Sequence, residues 1–147
     1  MRFNAPPPEP LASEIGFLLS WNGQRTAHDF AAALEPLDLR PPHFGVMRLI
    51  DAHPGATQQS LVTGSLIDAS SMVAVIDELE QRGLAERRSH PSDRRKHAVH
   101  LTAKGKRALE RGREIAARYT QELIEPLTAD ERETLKRLLR KLASLDA

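Results

Sequence analysis

The chain has 147 residues, about the size of one domain, and 40% of them are hydrophobic but only 4% aromatic. Leu, Ile, Val and Ala must therefore fill the core, which favours packed helices over a β-sandwich or barrel. There is no cysteine, which excludes disulfides, thiolate metal sites and thiol-based redox sensing. No apolar run approaches the roughly 20 residues of a membrane span and no signal peptide is visible, so we expect a cytoplasmic protein without a membrane partner.

Charge is distributed unevenly, although the net charge is only +1. The segment 82–107 contains nine Lys and Arg residues against two acids, and its net charge is +7. The remaining residues carry 12 basic and 18 acidic side chains, a net charge of −6. This asymmetry predicts a local anion-binding surface, although a run of charge is more often just a solvated surface.

The first predicted elements are a tail and two helices. Residues 1–10 include four prolines and are predicted to form a flexible tail. Apolar residues at mostly helical spacing over 11–34 predict a helix with a polar middle at 22–29. The proline pair at 41–42 suits the first turn of a second helix, which ends before the Pro-Gly pair at 54–55.

Two further short helices are predicted next. Thr57 is a suitable N-cap for the first of them. Asp68 is a suitable N-cap for the second, which extends from Ala69 to about Arg82 and ends at Gly83. The apolar side of this second helix consists of Met72, Val75, Ile76 and Leu79.

A two-stranded β-hairpin is predicted after these helices. Residues 96–101 alternate in the way that a strand requires, and residues 85–89 are the expected partner strand. The basic tripeptide at 93–95 then lies at or near the tip of the hairpin. The charge of this region is therefore concentrated at an exposed turn.

Two helices complete the chain. Thr102 is predicted to cap a long helix that reaches about Glu125. Thr128 and Glu131 form a capping box for the last helix. That helix carries a leucine stripe, which packs either within the chain or against a second copy: Leu135, Leu138, Leu139, Leu142 and Leu145.

Three short helices followed by a basic hairpin form the arrangement of a winged helix-turn-helix. A helix fits the major groove of DNA, and the backbone amides at its first turn favour phosphate. At the hairpin tip, Arg94 and Arg95 can reach the adjacent minor groove, whose negative potential attracts guanidinium groups. The side of the helix from Ala69 that lies opposite its apolar side is expected to face the groove, and it carries Ser70, Ala74 and Asp77, flanked by Ser71 and Glu78.

Specific motifs in this region resemble those of the multiple-antibiotic-resistance regulator (MarR) family. Residues 77–84, Asp-x-Leu-Glu-x-x-Gly-Leu, are similar to the end of that family's recognition helix. Asp-Arg-Arg at 93–95, followed by Val-x-Leu-Thr-x-x-Gly at 99–105, matches its wing. Upstream, PPHFGVMRLI and TQQSL stand where its second and third helices begin.

The resemblance implies a mainly α fold with a small β-hairpin wing. A winged helix-turn-helix domain would occupy residues 36–102, and residues 11–35 and 103–147 would form a helical dimerisation region. It also implies a ligand-responsive, sequence-specific DNA-binding regulator, usually a repressor, that acts as a homodimer on a short inverted repeat and uses no cofactor. The implied DNA-contacting residues are Gln58, Gln59, Ser70, Ser71, Ala74, Arg88, Arg94, Arg95 and Lys96, with Asp93 orienting one of the wing arginines.

The chain departs from the family at two places. The turn before the recognition helix usually has a glycine where Leu66 stands, and Gly64 lies two residues earlier, which predicts a shifted turn. Ala74 stands where some relatives have a base-contacting arginine. Readout is therefore expected to use hydroxyls and contacts with thymine methyl groups.

The resemblance also implies a small anionic or phenolic ligand bound between the dimer interface and the DNA-binding lobe. Candidate lining residues are Trp21, His28, His43 and Met47, although each of these is more commonly structural.

No catalytic motif is visible, and we expect neither an enzyme nor a metal site. His97 and His100 would point to opposite faces of one strand and so could not chelate a metal together. The alternative function is a winged-helix module whose basic hairpin binds an acidic protein surface without specific DNA binding.

Overall fold

Helices make up most of the chain in the computed structural model, which describes residues 5–63, 65 and 67–145. The helices are α1 (Ile15–Leu34), α2 (Pro41–Ala52), α3 (Gln58–Thr63), α4 (Ala69–Gln81), α5 (Ala103–Leu123) and α6 (Ala129–Leu142). The strands are β1 (Ala56–Thr57), β2 (Ala85–Ser89) and β3 (His97–Leu101). This arrangement confirms the expected mainly α fold with a small β-wing.

The polar middle of the first predicted helix lies inside α1, which is continuous. Asn22 Nδ2 donates to the carbonyl of Leu18 at 2.8 Å, and Thr26 Oγ1 donates to the carbonyl of Asn22 at 2.7 Å. These side chains bond to the helix backbone of the preceding turn, so polarity here does not end the helix. Of the predicted tail, residues 1–4 lie outside the described residues.

The core lies where α2, α3 and α4 pack together over the sheet. Val46 and Met47 of α2, Met72 and Ile76 of α4 and Val99 of β3 are all fully buried. Burial of each such side chain contributes about 1.5–3 kcal/mol to the free energy of folding, which stabilises the packing of α4 against α2, α3 and the sheet. As predicted, α4 has Asp68 as its N-cap and is followed by Gly83, whose φ of +69° suits glycine.

The sheet has three strands rather than the two predicted, in the order β1-β3-β2, and both pairs are antiparallel. β1 contributes only Ala56 and Thr57, paired with Val99 and Ala98. Two residues are too few to show the alternation that identifies a strand, which is why the sequence did not predict it. Thr57 still caps α3 as expected, since its Oγ1 accepts from the amide of Ser60 at 3.2 Å.

Helix α5 is joined closely to the root of the wing. Thr102 caps it, accepting from the amide of Gly105 at 3.0 Å and donating to the carbonyl of Gly83 at 2.6 Å. A Cβ on Gly105 would lie 1.9 Å from the carbonyl oxygen of Leu84, so this close approach requires glycine. The threonine and glycine of the wing motif therefore fix the junction between wing and helix.

Helix α6 has the predicted capping box, in which Thr128 accepts from the amide of Glu131 and the Glu131 carboxylate accepts from the amide of Thr128. The leucine stripe of this helix is exposed. Leu138 is 45% exposed and Leu142 is 70% exposed. The stripe therefore does not belong to the core of a single copy of the chain.

Two features complete the description of the fold. Counting described residues alone, the helices include none with the length and apolar character needed to cross a bilayer. The predicted shift of the turn before α4 concerns Gly64 and Leu66, which lie outside the described residues.

Candidate nucleic-acid interface

The outward face of α4 combines hydroxyls with small apolar groups. The helix sequence ASSMVAVIDELEQ contains no Lys, Arg or Asn. Val73, which the sequence analysis did not select, is 38% exposed beside Ala74. Val73 could have been selected from the sequence, because it is apolar but does not lie on the predicted buried side of the helix. The exposed residues of the first two turns are Ala69, Ser70, Ser71, Val73 and Ala74.

The first turn of α4 differs from the phosphate-binding turn that was predicted. Asp68 accepts from the amide of Ser71 at 2.8 Å, from Ser70 Oγ at 2.7 Å and from Ser71 Oγ at 2.9 Å. These bonds, led by that of the Ser71 amide, lower the pKa of Asp68 from 3.8 to about 2. A carboxylate thus occupies donors that a phosphate would need, and its charge repels phosphate.

The tip of the wing is an ordered turn with exposed cations. The amide of Lys96 donates to the carbonyl of Asp93 at 3.0 Å, and the amide of His90 donates to the carbonyl of Lys96 at 3.0 Å. Asp93 accepts from the backbone amide of Arg95 at 3.0 Å, which lowers the pKa of this carboxyl, and lies 3.4 Å from Arg95 Nε. Arg94 and Lys96 are exposed, and the Arg95 side chain is 92% exposed.

Arg87 links the wing to α4 and α3, and the sequence analysis missed it in favour of its neighbour. Its guanidinium lies 2.7 Å from Asp77 Oδ1 and 3.2 Å from Glu80 Oε1, and donates to Gln58 Oε1 at 3.1 Å. The side chain is only 17% exposed. Two successive residues on a strand point to opposite faces of the sheet. The sequence could therefore have indicated that only one of the two arginines faces solvent.

A second cluster connects α4 to the start of α2. Glu78 accepts from Arg40 at 2.9 Å and from His43 Nε2 at 2.6 Å, and His43 Nδ1 accepts from the amide of Arg40 at 3.2 Å. The bond from His43, and secondarily that from Arg40, lowers the pKa of Glu78. The acids in the second half of α4 are thus each paired with a cation from another element.

The remaining predicted DNA contacts occupy different environments. Gln58, the first residue of α3, is half-buried and bonded to Arg87, whereas Gln59 is exposed. Arg88 is 59% exposed on β2 and pairs with Glu86 two residues away. Gln59 and Arg88 therefore have the side-chain access that a phosphate contact requires.

The four predicted ligand-lining residues lie in different environments. His43 is buried with both ring nitrogens bonded, and Met47 is fully buried in the core. Trp21 packs under the guanidinium of Arg25, 5.7 Å from the ring centroid, and His28 Nδ1 lies 3.1 Å from Asp29 Oδ1. None of the four lines either of the cavities described next.

A cavity of about 560 Å³ lies beside α5, between that helix and the chain that follows α1. Its lining includes Leu37, Ile115 and Tyr119, together with Arg111 and Arg118. Burial raises the pKa of the Tyr119 hydroxyl, so it is protonated at neutral pH. Glu114 and Glu122 also line this cavity and balance its two arginines, so the lining suits an apolar or aromatic group rather than a charged one.

A smaller cavity of about 270 Å³ adjoins the first one, and Leu37 and Arg111 line both. Three more cations contribute to its lining, namely Arg82, Lys104 and Arg107. Such a concentration of cations suits an anion of several charges. Neither cavity was predicted, because their residues come from segments that are distant in the sequence.

Comparison with known proteins relates the chain to transcriptional regulators. The sequence model of the MarR family matches residues 39–97. A protein of Thauera aromatica assigned as the transcriptional regulatory protein for the hcr operon is 33% identical over 138 residues, which span 93% of this chain and 83% of that protein.

Two solved structures extend the similarity to the fold. The transcriptional repressor CouR bound to a 23-mer DNA duplex has a TM-score of 0.86 and 35% identity, covering 95% of this chain and 99% of the other. CouR bound to p-coumaroyl-CoA has a TM-score of 0.81 and 33% identity, covering 95% and 98%.

Proposed function

Since the chain belongs to the MarR family of transcriptional regulators, we propose that it is a ligand-responsive repressor that binds a short inverted repeat as a homodimer. The family consists of regulators rather than enzymes. The single observation that carries the proposal is the pairing of an ordered cationic wing tip with a groove-sized helix. This pairing occurs in a fold that matches a DNA-bound repressor over nearly its full length.

The proposed roles in DNA binding follow from exposure and charge. Helix α4 enters the major groove with Ser70, Ser71 and Ala74 toward the bases. Arg94 and Arg95 enter the adjacent minor groove, oriented through Asp93, while Lys96 contacts the backbone. Gln58, Gln59 and Arg88 lie on the flanks of α4, where Gln59 and Arg88 have the access needed for phosphates.

The leucine stripe of α6 supports the proposed homodimer. Ile15 and Leu19 of α1 are exposed as well. A row of exposed apolar side chains such as the leucine stripe marks a surface that a protein partner can cover. Two copies related by a two-fold axis would bury it and place two α4 helices in successive major grooves, with half-site centres about 10 bp apart.

The two adjoining cavities support a ligand with an aromatic acyl part and several negative charges. The larger cavity would hold the aromatic part near Tyr119, and the cations of the smaller one would hold phosphates. CouR, which has a similar fold, has been solved with p-coumaroyl-CoA, a thioester of this chemical type. We therefore propose an aromatic acyl thioester of coenzyme A as the ligand class.

The DNA-binding proposal is tested by replacing the two wing arginines. Arg94→Ala with Arg95→Ala is expected to weaken binding to operator DNA and to reduce the slope of log affinity against log salt by about one per lost contact. Binding is measured by fluorescence anisotropy at several salt concentrations.

The matched control is Arg137→Ala with Arg140→Ala, which removes two cations from α6 on the side opposite its leucines. Equal salt slopes for the wing variant and this control would contradict the DNA-binding role of the wing. Equal binding of random and genomic duplexes would instead favour a winged-helix protein-binding module.

A further inference from the structure

We propose that the exposed face of α4 selects adenine–thymine base pairs and rejects guanine. This inference rests on the proposed DNA-binding function and goes beyond it by naming the base pairs that the helix reads. The residues that carry it are Asp68, Ser70, Ser71, Val73 and Ala74. They are exposed residues of the N-cap and the first two turns of α4.

Helix α4 lacks the side chains that recognise guanine. In the major groove guanine presents two acceptors, N7 and O6, which are normally bound by the donors of Arg or Lys. The helix contains no Lys, Arg or Asn, and its one amide side chain, Gln81, is the last residue of the helix. Only the two serine hydroxyls remain as side-chain donors in its first two turns.

The protons of these two hydroxyls are already used. Asp68 is ionised at neutral pH, since its pKa is about 2, and an ionised carboxylate can only accept. Ser70 Oγ therefore donates to Asp68 Oδ1 at 2.7 Å, and Ser71 Oγ donates to Asp68 Oδ2 at 2.9 Å. A hydroxyl has one proton, so both serines present only lone pairs to a base.

Lone pairs require donors on the DNA. In the major groove the available donors are the N6 amino group of adenine and the N4 amino group of cytosine. The acceptors of guanine and the charge of Asp68 would repel each other. Rotating a serine proton toward guanine would break its charge-assisted bond to Asp68, which costs more than an ordinary hydrogen bond.

Val73 and Ala74 decide between the two possible donors. Both are exposed and apolar. Val73 retains 38% of its accessible surface, whereas the four residues of the apolar side of α4 are buried. The apolar group that the major groove offers is the thymine methyl. An adenine–thymine pair supplies an amino donor and a methyl together, whereas a guanine–cytosine pair supplies no methyl.

The experiment begins with selection of bound duplexes from a random-core library by the full-length protein. The positions read by α4 are those at which Ser70→Ala or Val73→Ala loses base preference. Adenine–thymine pairs are expected there, and exchange of one for guanine–cytosine should weaken binding about tenfold.

Modified bases separate the two parts of the inference. Replacing thymine by uracil at these positions removes only the methyl, and should weaken binding about fourfold. Replacing cytosine by 5-methylcytosine in a guanine–cytosine variant restores a methyl beside an amino donor, and should recover a similar factor.

Protein variants test the donor argument. In Asp68→Asn the side-chain oxygen still caps the helix and still accepts from Ser70 Oγ, but the amide takes the place of Oδ2 and donates to Ser71 Oγ. The Ser71 proton is then free for a base, so discrimination against guanine should fall by about threefold or more. Val73→Ser, which removes both methyl groups of the side chain, should reduce the effect of uracil. Gln81→Ala, at the exposed end of α4, should leave both preferences unchanged.

The outcomes distinguish this inference from the function on which it rests. Selected guanines at the α4 positions, or binding that is indifferent to uracil, would overturn the base preference and leave DNA binding intact. A library without any enriched sequence would overturn both.

Discussion

Arg87 illustrates how one side chain prepares a helix for DNA. Helix α4 has three acids in its second half, and an acidic helix is repelled by phosphates. The Arg87 guanidinium contacts two of them, Asp77 and Glu80, while Gln58 accepts a third bond from it. A largely buried cation thus offsets part of the negative charge of α4 without itself being available to DNA.

We expect Arg87→Met to weaken operator binding about tenfold or more, since Asp77 and Glu80 would then face DNA unpaired. The variant should also lower the free energy of unfolding by about 1 kcal/mol, a figure reduced because both carboxylates are half exposed. Anisotropy titrations and urea unfolding measure the two effects.

The control is Arg88→Met at the next position of β2. Its loss should leave stability unchanged and cost only one phosphate contact. If Arg88→Met were the more damaging of the two changes for both stability and binding, the role given to Arg87 would be refuted.

At the scale of single residues, sequence reasoning identified caps and exposed sites better than partners. Asp68, Thr102 and Thr128 were predicted as caps because a cap is defined by local spacing, and the structure confirms all three. The partners of Arg87 lie 7 to 29 residues away in the sequence. Such pairs depend on how elements pack, which local spacing does not encode.

Among the elements, α6 carries a leucine stripe that is exposed in a single copy of the chain. Helical geometry places Leu135, Leu138, Leu139 and Leu142 on one side of it, and all four are exposed. A helix with this pattern is normally stabilised by packing of its apolar face rather than by its own propensity. The stripe is therefore the element on which dimerisation is expected to depend.

Leu138→Glu with Leu142→Glu is expected to convert the dimer to monomers, because two charges would be buried in the interface. Sedimentation velocity measures the assembly state, and circular dichroism shows that the helices persist. Operator affinity should fall strongly when the dimer is lost, since a monomer contacts only one half-site.

On the opposite side of the same helix, Arg137→Ala with Arg140→Ala should leave the assembly state unchanged. A double-glutamate variant that still sediments as a dimer would show that the interface lies elsewhere.

For the elements, helix bounds followed closely from the sequence whereas the sheet did not. Capping residues, prolines and Gly83 mark the ends of α2, α4, α5 and α6 because each has a local conformational reason to be there. The two residues of β1 carry no such signal and form a strand only because β3 pairs with them. The strand β1 therefore depends on pairing with residues that are distant in the sequence.

For the molecule as a whole, α5 joins the proposed DNA-binding region to the proposed ligand site. One end of this helix is bonded to the wing root, and its length passes both cavities. A ligand in those cavities would push α5 away from the segment after α1. The two recognition helices of a dimer would then no longer match successive grooves.

We expect p-coumaroyl-CoA, as a representative aromatic acyl thioester, to release wild-type protein from operator DNA. Arg111→Ala should need about tenfold more ligand for half-release, because Arg111 lines both cavities. Release is followed by anisotropy of labelled duplex, normalised to the affinity of each variant without ligand.

Lys106→Ala, which removes a cation of α5 that lines neither cavity, serves as the control. Equal half-release concentrations for Arg111→Ala and this control would contradict the placement of the ligand.

Because of the contact between Gly105 and the Leu84 carbonyl, α5 and the wing root are expected to move as one rigid body. The helix has 21 residues and is therefore about 30 Å long, so a tilt of about 5° displaces its far end by about 3 Å. Because Gly105 packs directly against the Leu84 carbonyl, the wing root rotates together with α5. A ligand that tilts α5 near Tyr119 would thereby rotate the wing root, and the wings of the proposed dimer would no longer match the spacing of successive grooves.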